Sequence, residues 1–194
     1  RDDVESRGLG DVYKRQLDVV PNAGHLGVAD LERDFNVTVV TQNVDNLHER
    51  AGSTHVIHLH GELTKVCSSR DPYNPHFVKE LAPEEYEVKL GDKAGDGTQL
   101  RPFIVWFGES VPEIETAIRY VEQADIFVII GTSLNVYPAA GLLNYVPRAA
   151  EVYLIDPKPV DTHVMRPIHV IQKGASEGVK ELKALLTVTQ PPLP

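Results

Sequence analysis

The segment that most restricts the fold is Ile126-Phe127-Val128-Ile129-Ile130, an unbroken apolar run set between Asp125 and Gly131-Thr132-Ser133. A strand without polar alternation has no face for solvent, so it must be covered on both sides, as in a parallel sheet under helices. Other segments follow the same rule in alternation. Pro21-Asn22 opens a helical stretch in which Val28, Leu31 and Phe35 share one face. Val37–Thr41 is β-branched throughout, which favours a strand. It runs into Gln42-Asn43-Val44-Asp45 and a short helix stopped by Gly52. Val56–His60, Phe103–Phe107, Glu151–Asp156 and Ile168–Gln172 read as further strands, with Gly61 ending the first of them. Pro112 begins a helix with Ile114, Ile118 and Val121 on one face, and another surrounds Ala139–Tyr145. A last helix from about Ser176 turns Val179, Leu182 and Leu186 inward. Strands alternating with helices predict an α/β fold: a Rossmann-like open parallel sheet with helices on both faces. Such sheets bind ligands beyond the carboxyl ends of their strands.

The texture changes between Thr64 and Arg101, where Asp-Pro, Asn-Pro, Gly91, Gly95 and Gly97 punctuate a polar stretch. This predicts a small loop-rich module over 64–100, inserted into a main domain of 17–63 and 101–186, with a tail at 187–194. Residues 1–16 are half charged and without helical or strand period, and the chain's one methionine is Met165. They are read as a disordered extension outside the fold.

Several function classes drop out on composition. With 28 acidic against 19 basic residues and a net charge of −9, the chain lacks the basic character of a nucleic-acid-binding surface. No apolar run approaches the roughly 18–20 residues of a membrane span, and no secretion signal is visible. The single cysteine, Cys67, excludes an internal disulfide and a four-cysteine zinc site, so a reducing cytoplasm is expected.

The strand ends hold the candidate chemistry. Gly131-Thr132-Ser133 could admit a phosphate or ribose close to the backbone and supply hydroxyl partners. Asp156 closes the next strand about 25 residues on, near the roughly 20-residue offset of a ribose-binding acid. An ordinary turn with a helix-capping hydroxyl is the alternative. Gln42, Asn43 and Asp45 could present amides and a carboxylate to a ligand, or Asn43 or Asp45 could cap the following helix. His58 and His60, two apart on one strand, could share a face and bind a metal, although no acidic partner lies at a telling offset. A histidine at a strand end can equally be a general base, since imidazole titrates near neutrality. Phe103–Phe107, released by Gly108-Glu109, could be core or a strand edge for an extended peptide.

Together these segments are specific. Thr41-Gln-Asn-Val-Asp-Asn-Leu-His-Glu-Arg-Ala-Gly52, His58-Leu-His-Gly-Glu-Leu63, Val105-Trp-Phe-Gly-Glu109 and Gly131-Thr-Ser-Leu-Asn-Val-Tyr-Pro138 occur in the order and rough spacing of the sirtuins. The chain resembles bacterial members of this family of NAD-dependent protein lysine deacylases from about Leu17 to Leu186. The resemblance implies NAD as cofactor and an acyl-lysine peptide or protein as partner. The products would be free lysine, nicotinamide and O-acyl-ADP-ribose. It implies that His60 is the catalytic base and that Gln42, Asn43 and Asp45 line the nicotinamide and ribose pocket. Gly131, Thr132 and Ser133, with Leu154, Ile155, Asp156 and Ala175, would form the adenosine side. Val105, Phe107, Gly108 and Glu109 match the strand that clamps the acyl-lysine peptide.

The chain departs from the family pattern in three ways. The family's glycine-rich opening is absent, which predicts an N-terminally truncated chain with impaired activity. The zinc cysteines are missing apart from Cys67, so no zinc is expected. The Tyr-x-x-Arg pair of acid-selective members is also missing, since Gln16 stands at that offset from Tyr13. Val105-Trp106-Phe107-Gly108-Glu109 leans toward the bacterial desuccinylase-like group, so the resemblance implies a deacetylase or a desuccinylase-like enzyme. Two rivals stand beside the deacylase: an inactive module binding acyl-lysine peptides or adenine nucleotides, and a hydrolase with metal on His58 and His60.

Overall fold

The computed structural model describes residues 18–82, 88–132, 139–159 and 166–189. The extension 1–16, Ser133 and the chain after 189 lie outside them. In chain order the elements are α1 (Ala23–Asp30), β1 (Val39–Thr41), α2 (Leu47–Ala51), β2 (Val56–His58), β3 (Gly61–Ser68), β4 (Lys79–Glu80) and β5 (Leu100–Ile104). Then come α3 (Ile114–Val121), β6 (Ile126–Ile130), β7 (Glu151–Ile155), β8 (His169–Ile171) and α4 (Ala175–Thr189). Ala139–Tyr145 is a 3-10 helix. The chain divides into two compact units, one built on Val40–Leu47 with His58–Glu113, the other on Pro21–Val39, His48–Ile57 and the chain from Ile114.

In the second unit β6, β7 and β8 form a parallel sheet in that order. The apolar run 126–130 is therefore a parallel strand, as its lack of alternation predicts. Tyr153 and Ile155 pack with Ile171 and with Val179, Leu182 and Leu186 of α4, and Leu31 joins the same core. Val152 and Leu154 alternate with them along β7 and are as deeply buried, so both faces of this strand are covered. Gly178 lets α4 lie directly on the sheet: a Cβ there would stand 2.2 Å from Cγ2 of Ile155. The helix starts at Ala175, a residue before the expected start, and runs through Thr189. Asn22 caps α1, its side-chain oxygen accepting from the N–H groups of Gly24 (2.8 Å) and His25 (3.2 Å). An ion pair between Asp30 and Lys183 adds to the contact of α1 with α4.

The first unit holds an antiparallel sheet in the order β4-β3-β5. Here the inserted module is more regular than its sequence suggests. β3 runs on through Ser68, and Val66, Cys67 and Ser68 are all fully buried. Three successive buried residues leave no alternation for a strand reading to detect. Ser68 is the polar node of this region. Its hydroxyl donates to Asp96 (2.7 Å), accepts from the N–H groups of Arg70 and Asp71 (3.0 Å each), and lies 3.0 Å from the Thr98 hydroxyl.

Candidate active site

In the first unit, β1 ends at Thr41, whose buried hydroxyl accepts from the N–H of Asn43 at 3.0 Å and turns the chain off the strand. That bend presents two carbonyls to the histidines of the next segment. Nδ1 of His60 lies 3.0 Å from the carbonyl oxygen of Gln42, and Nδ1 of His58 lies 3.3 Å from that of Asn43. A carbonyl can only accept, so Nδ1 of His60 carries the hydrogen and the neutral ring keeps its lone pair on Nε2. This is the tautomer a general base requires.

The position of His60 depends on a departure from the expected strand over 56–60. β2 stops at His58, and Leu59, which is fully buried, anchors a turn that carries His60. The two histidines are thus not consecutive members of one strand face. Gly61 then adopts φ +79, and a Cβ there would stand 2.1 Å from the carbonyl oxygen of Phe103. Only glycine permits β3 to leave the turn this close to β5. Among the described residues no group of three potential metal ligands is found.

The side chains of Gln42 and Asn43 take no hydrogen bond among the described residues, while their carbonyls orient the histidines. Oδ1 of Asp45 accepts from the N–H of Leu47 at 3.1 Å, in the turn that leads into α2.

Val105, Phe107, Gly108 and Glu109 are not on a strand. β5 ends at Ile104, and the residues after it form a turn in which the N–H of Glu109 donates to the carbonyl of Trp106 at 3.0 Å. Gly108 supplies the positive φ of +93 at its third position, as a type II turn requires. Phe107, at the second position, is fully exposed. The chain curls because Glu109 reaches back. Its carboxylate takes Nη1 of Arg101 at 2.6 Å, Nη2 at 2.8 Å and the N–H of Trp106 at 3.0 Å. The guanidinium holds the Glu109 carboxyl below its usual range. Arg101, at the edge of the module, carried no sequence signal, because a partner eight positions along an irregular segment follows no helix or strand period.

In the second unit, Gly131 follows β6 with φ +62, and among the described residues nothing lies within 4 Å of where its Cβ would be. Its N–H donates to the carbonyl of Ile155 at 2.9 Å, which aligns the carboxyl ends of β6 and β7. Asp156 stands at the end of β7, with Oδ1 accepting from the N–H of Lys158 at 2.8 Å. Its other carboxylate oxygen has no bond among the described residues, so it can accept from a ligand hydroxyl. Leu154 and Ile155 are fully buried, so only their main chain could meet a ligand. Ala175 is the first residue of α4, and Thr132 directly follows Gly131.

Comparisons with known proteins give the family. A sequence model of the Sir2 family matches residues 10–138. The NAD-dependent protein deacylase of Bacteroides thetaiotaomicron is 82% identical over 173 residues, covering 89% of this chain and 74% of that protein. A Sir2 homologue solved as its NAD complex superposes with a TM-score of 0.75 at 34% identity, over 92% of this chain and 72% of the other. A Sir2 complex with p53 peptide and NAD+ gives 0.71 at 27% identity, over 90% and 74%. No helix among the described residues is long and apolar enough to cross a membrane. The four motifs, the parallel β6–β8 sheet and these matches lead to one conclusion: the chain belongs to the Sir2 family.

Proposed function

We propose that this chain is an NAD-dependent protein lysine deacylase, with His60 as its general base. The observation that carries the proposal is the 3.0 Å contact of His60 Nδ1 with the Gln42 carbonyl, which leaves the lone pair on Nε2. The 82% identical relative is named an NAD-dependent protein deacylase, which supports the same activity here.

The residue types in each unit, taken by itself, suit one end of an adenine dinucleotide. Gly131 has no described neighbour where a Cβ would stand, and the spare oxygen of Asp156 suits a ribose hydroxyl. Thr132, Ser133 and Ala175, with the main chain of Leu154 and Ile155, complete this adenosine side of the proposal. Gln42 and Asn43 offer side-chain amides, and Asp45 its second carboxylate oxygen, to the nicotinamide and its ribose. NAD, when bound, supplies an electrophilic ribose carbon from which the acyl oxygen of the substrate displaces nicotinamide. His60 takes a proton from a ribose hydroxyl at Nε2, and the Gln42 carbonyl steadies the ring as it becomes charged. Val105, Phe107 and Gly108 provide main-chain groups and an exposed aromatic ring for an acyl-lysine peptide. The solved Sir2 complex with p53 peptide supports a partner of that class.

A zinc-free module and a cytoplasmic location belong to the same proposal. The zinc-free reading rests on Cys67 being the one cysteine of the chain; it is buried, and burial pushes its thiol up to about 11. The Ser68 hydroxyl with its four partners supplies local cross-links within the module.

The test is nicotinamide release from NAD in the presence of acetyl- and succinyl-lysine peptides, with His60→Ala as control. Release that requires both peptide and His60 is expected. Peptide binding without release, or release that survives His60→Ala, would overturn the assignment.

A further inference from the structure

The resemblance makes Glu109 a substrate contact, but its carboxylate is already engaged. Oε1 is taken by Nη1 of Arg101, and Oε2 by both Nη2 of Arg101 and the N–H of Trp106. Resting on the deacylase reading, we infer that Arg101 and Glu109 are positioning residues that hold the turn 105–109 in its peptide-binding shape without touching substrate. Arg101 is anchored independently of Glu109, since Nη2 also donates to the carbonyl of Ile104 at 2.7 Å. It stands on β5 opposite Cys67 of β3, both members of the module's sheet. The Arg101 and Glu109 side chains are only 18% and 32% exposed, so the pair is partly shielded from the screening that weakens surface ion pairs.

Further bonds fix the two ends of the same turn. The N–H of Val105 donates to the carbonyl of His60 at 3.0 Å, and the Tyr73 hydroxyl donates to the carbonyl of Ser110 at 3.1 Å. Between these tethers the backbone of Trp106–Glu109 is held by its own turn bond and by Glu109. Loss of the carboxylate would therefore free the middle of the turn, where Phe107 stands exposed, while leaving both ends attached. An extended peptide pairing with main-chain groups here would meet a loosened template.

Trp106 is the only tryptophan of the chain, so its fluorescence reports on this turn alone. The experiment compares the wild-type chain with Glu109→Gln and Arg101→Lys. It reads acrylamide quenching of Trp106 and the steady-state constants for acyl-lysine peptide and for NAD. Arg101→Lys keeps the charge but loses the two-pronged fork. In variants that keep the wild-type circular dichroism, quenching should increase and the peptide KM should rise roughly tenfold, with the NAD KM unchanged. Unchanged quenching overturns the inference, as does an NAD KM that rises together with the peptide KM. If both variants unfold, Glu109→Asp, which keeps the charge on a shorter side chain, must show the same split or the inference fails. A wild-type chain without NAD-dependent turnover overturns the deacylase reading and this inference with it. Turnover in the wild type with no split in the variants overturns the inference alone.

Discussion

The backbone N–H of Val105 donates to the carbonyl of His60 at 3.0 Å. The candidate base and the first residue of the candidate peptide segment are thus joined by a main-chain bond that needs neither residue's side chain. The same His60 is held from the other side by its Nδ1 contact with the Gln42 carbonyl. The residue next to it, Gly61, governs whether both bonds can form together.

Gly61→Ala is expected to be among the most damaging single changes in the chain. The new Cβ would stand 2.1 Å from the Phe103 carbonyl oxygen, and the φ of +79 is disfavoured for any side chain. Overpacking and left-handed strain together should cost about 3 kcal/mol or more. Urea denaturation measures this. A loss below about 1 kcal/mol would show that β3 can move away from β5 at little cost.

Gly178→Ala sets two effects against each other. In an exposed helix interior the change would stabilise by roughly 0.5–1 kcal/mol. Here the Cβ would stand 2.2 Å from Cγ2 of the fully buried Ile155, and overpacking costs about 1–3 kcal/mol. Packing should win, giving a lower thermal midpoint. In an Ile155→Ala background Gly178→Ala should lower the midpoint by less than it does in the wild type, because the atom that is struck is gone.

Asp96 should make the chain sensitive to acid. Hydrogen bonds from Ser68 and then Thr98 lower its carboxyl to about 2, below the ordinary carboxylate value. A group depressed in the folded state contributes stability that is fully present above the unfolded value, near pH 4. That contribution is lost as pH falls towards 2. Thermal midpoints measured from pH 5 to pH 2 should therefore drop less steeply in Asp96→Asn than in the wild type. Equal slopes would remove Asp96 from the account of the module.

Cys67 should resist alkylation in the native chain. It is fully buried, and burial raises its thiol to about 11. At pH 8 iodoacetamide should label it only as fast as the protein opens, with full labelling in denaturant. Rapid labelling of the folded chain would show that this part of β3 opens readily.

The parallel strands were legible in the sequence because they are short, apolar and β-branched runs with polar or glycine residues at their ends, a signature of length and composition rather than of period. Asp125–Ile130 and Glu151–Asp156 fall within a residue of β6 and β7. The motif order was equally legible and led to the family by resemblance. Harder to read were places where the chain leaves regular structure under the control of contacts distant in sequence. Val105–Phe107 have strand-like composition, yet they turn because Glu109 is gripped by Arg101 and by the Trp106 N–H. His60 was expected at the end of a strand, but it lies in a turn that exists because Gly61 can approach Phe103. Val66–Ser68 were assigned to loop because consecutive burial hides a strand from any test of alternation.

By itself, then, the sequence determined which segments could be buried strands and helices, and which polar residues stand at their ends. Hydrophobic periodicity is a local property, and it survives without knowledge of the neighbours. Only the tertiary structure decided which nitrogen of His60 keeps the lone pair and which groups satisfy the carboxylate of Glu109. It likewise decided which glycines cannot be replaced. Each of these depends on one atom meeting another at hydrogen-bond or van der Waals distance, and that meeting is arranged by chain segments far apart in sequence.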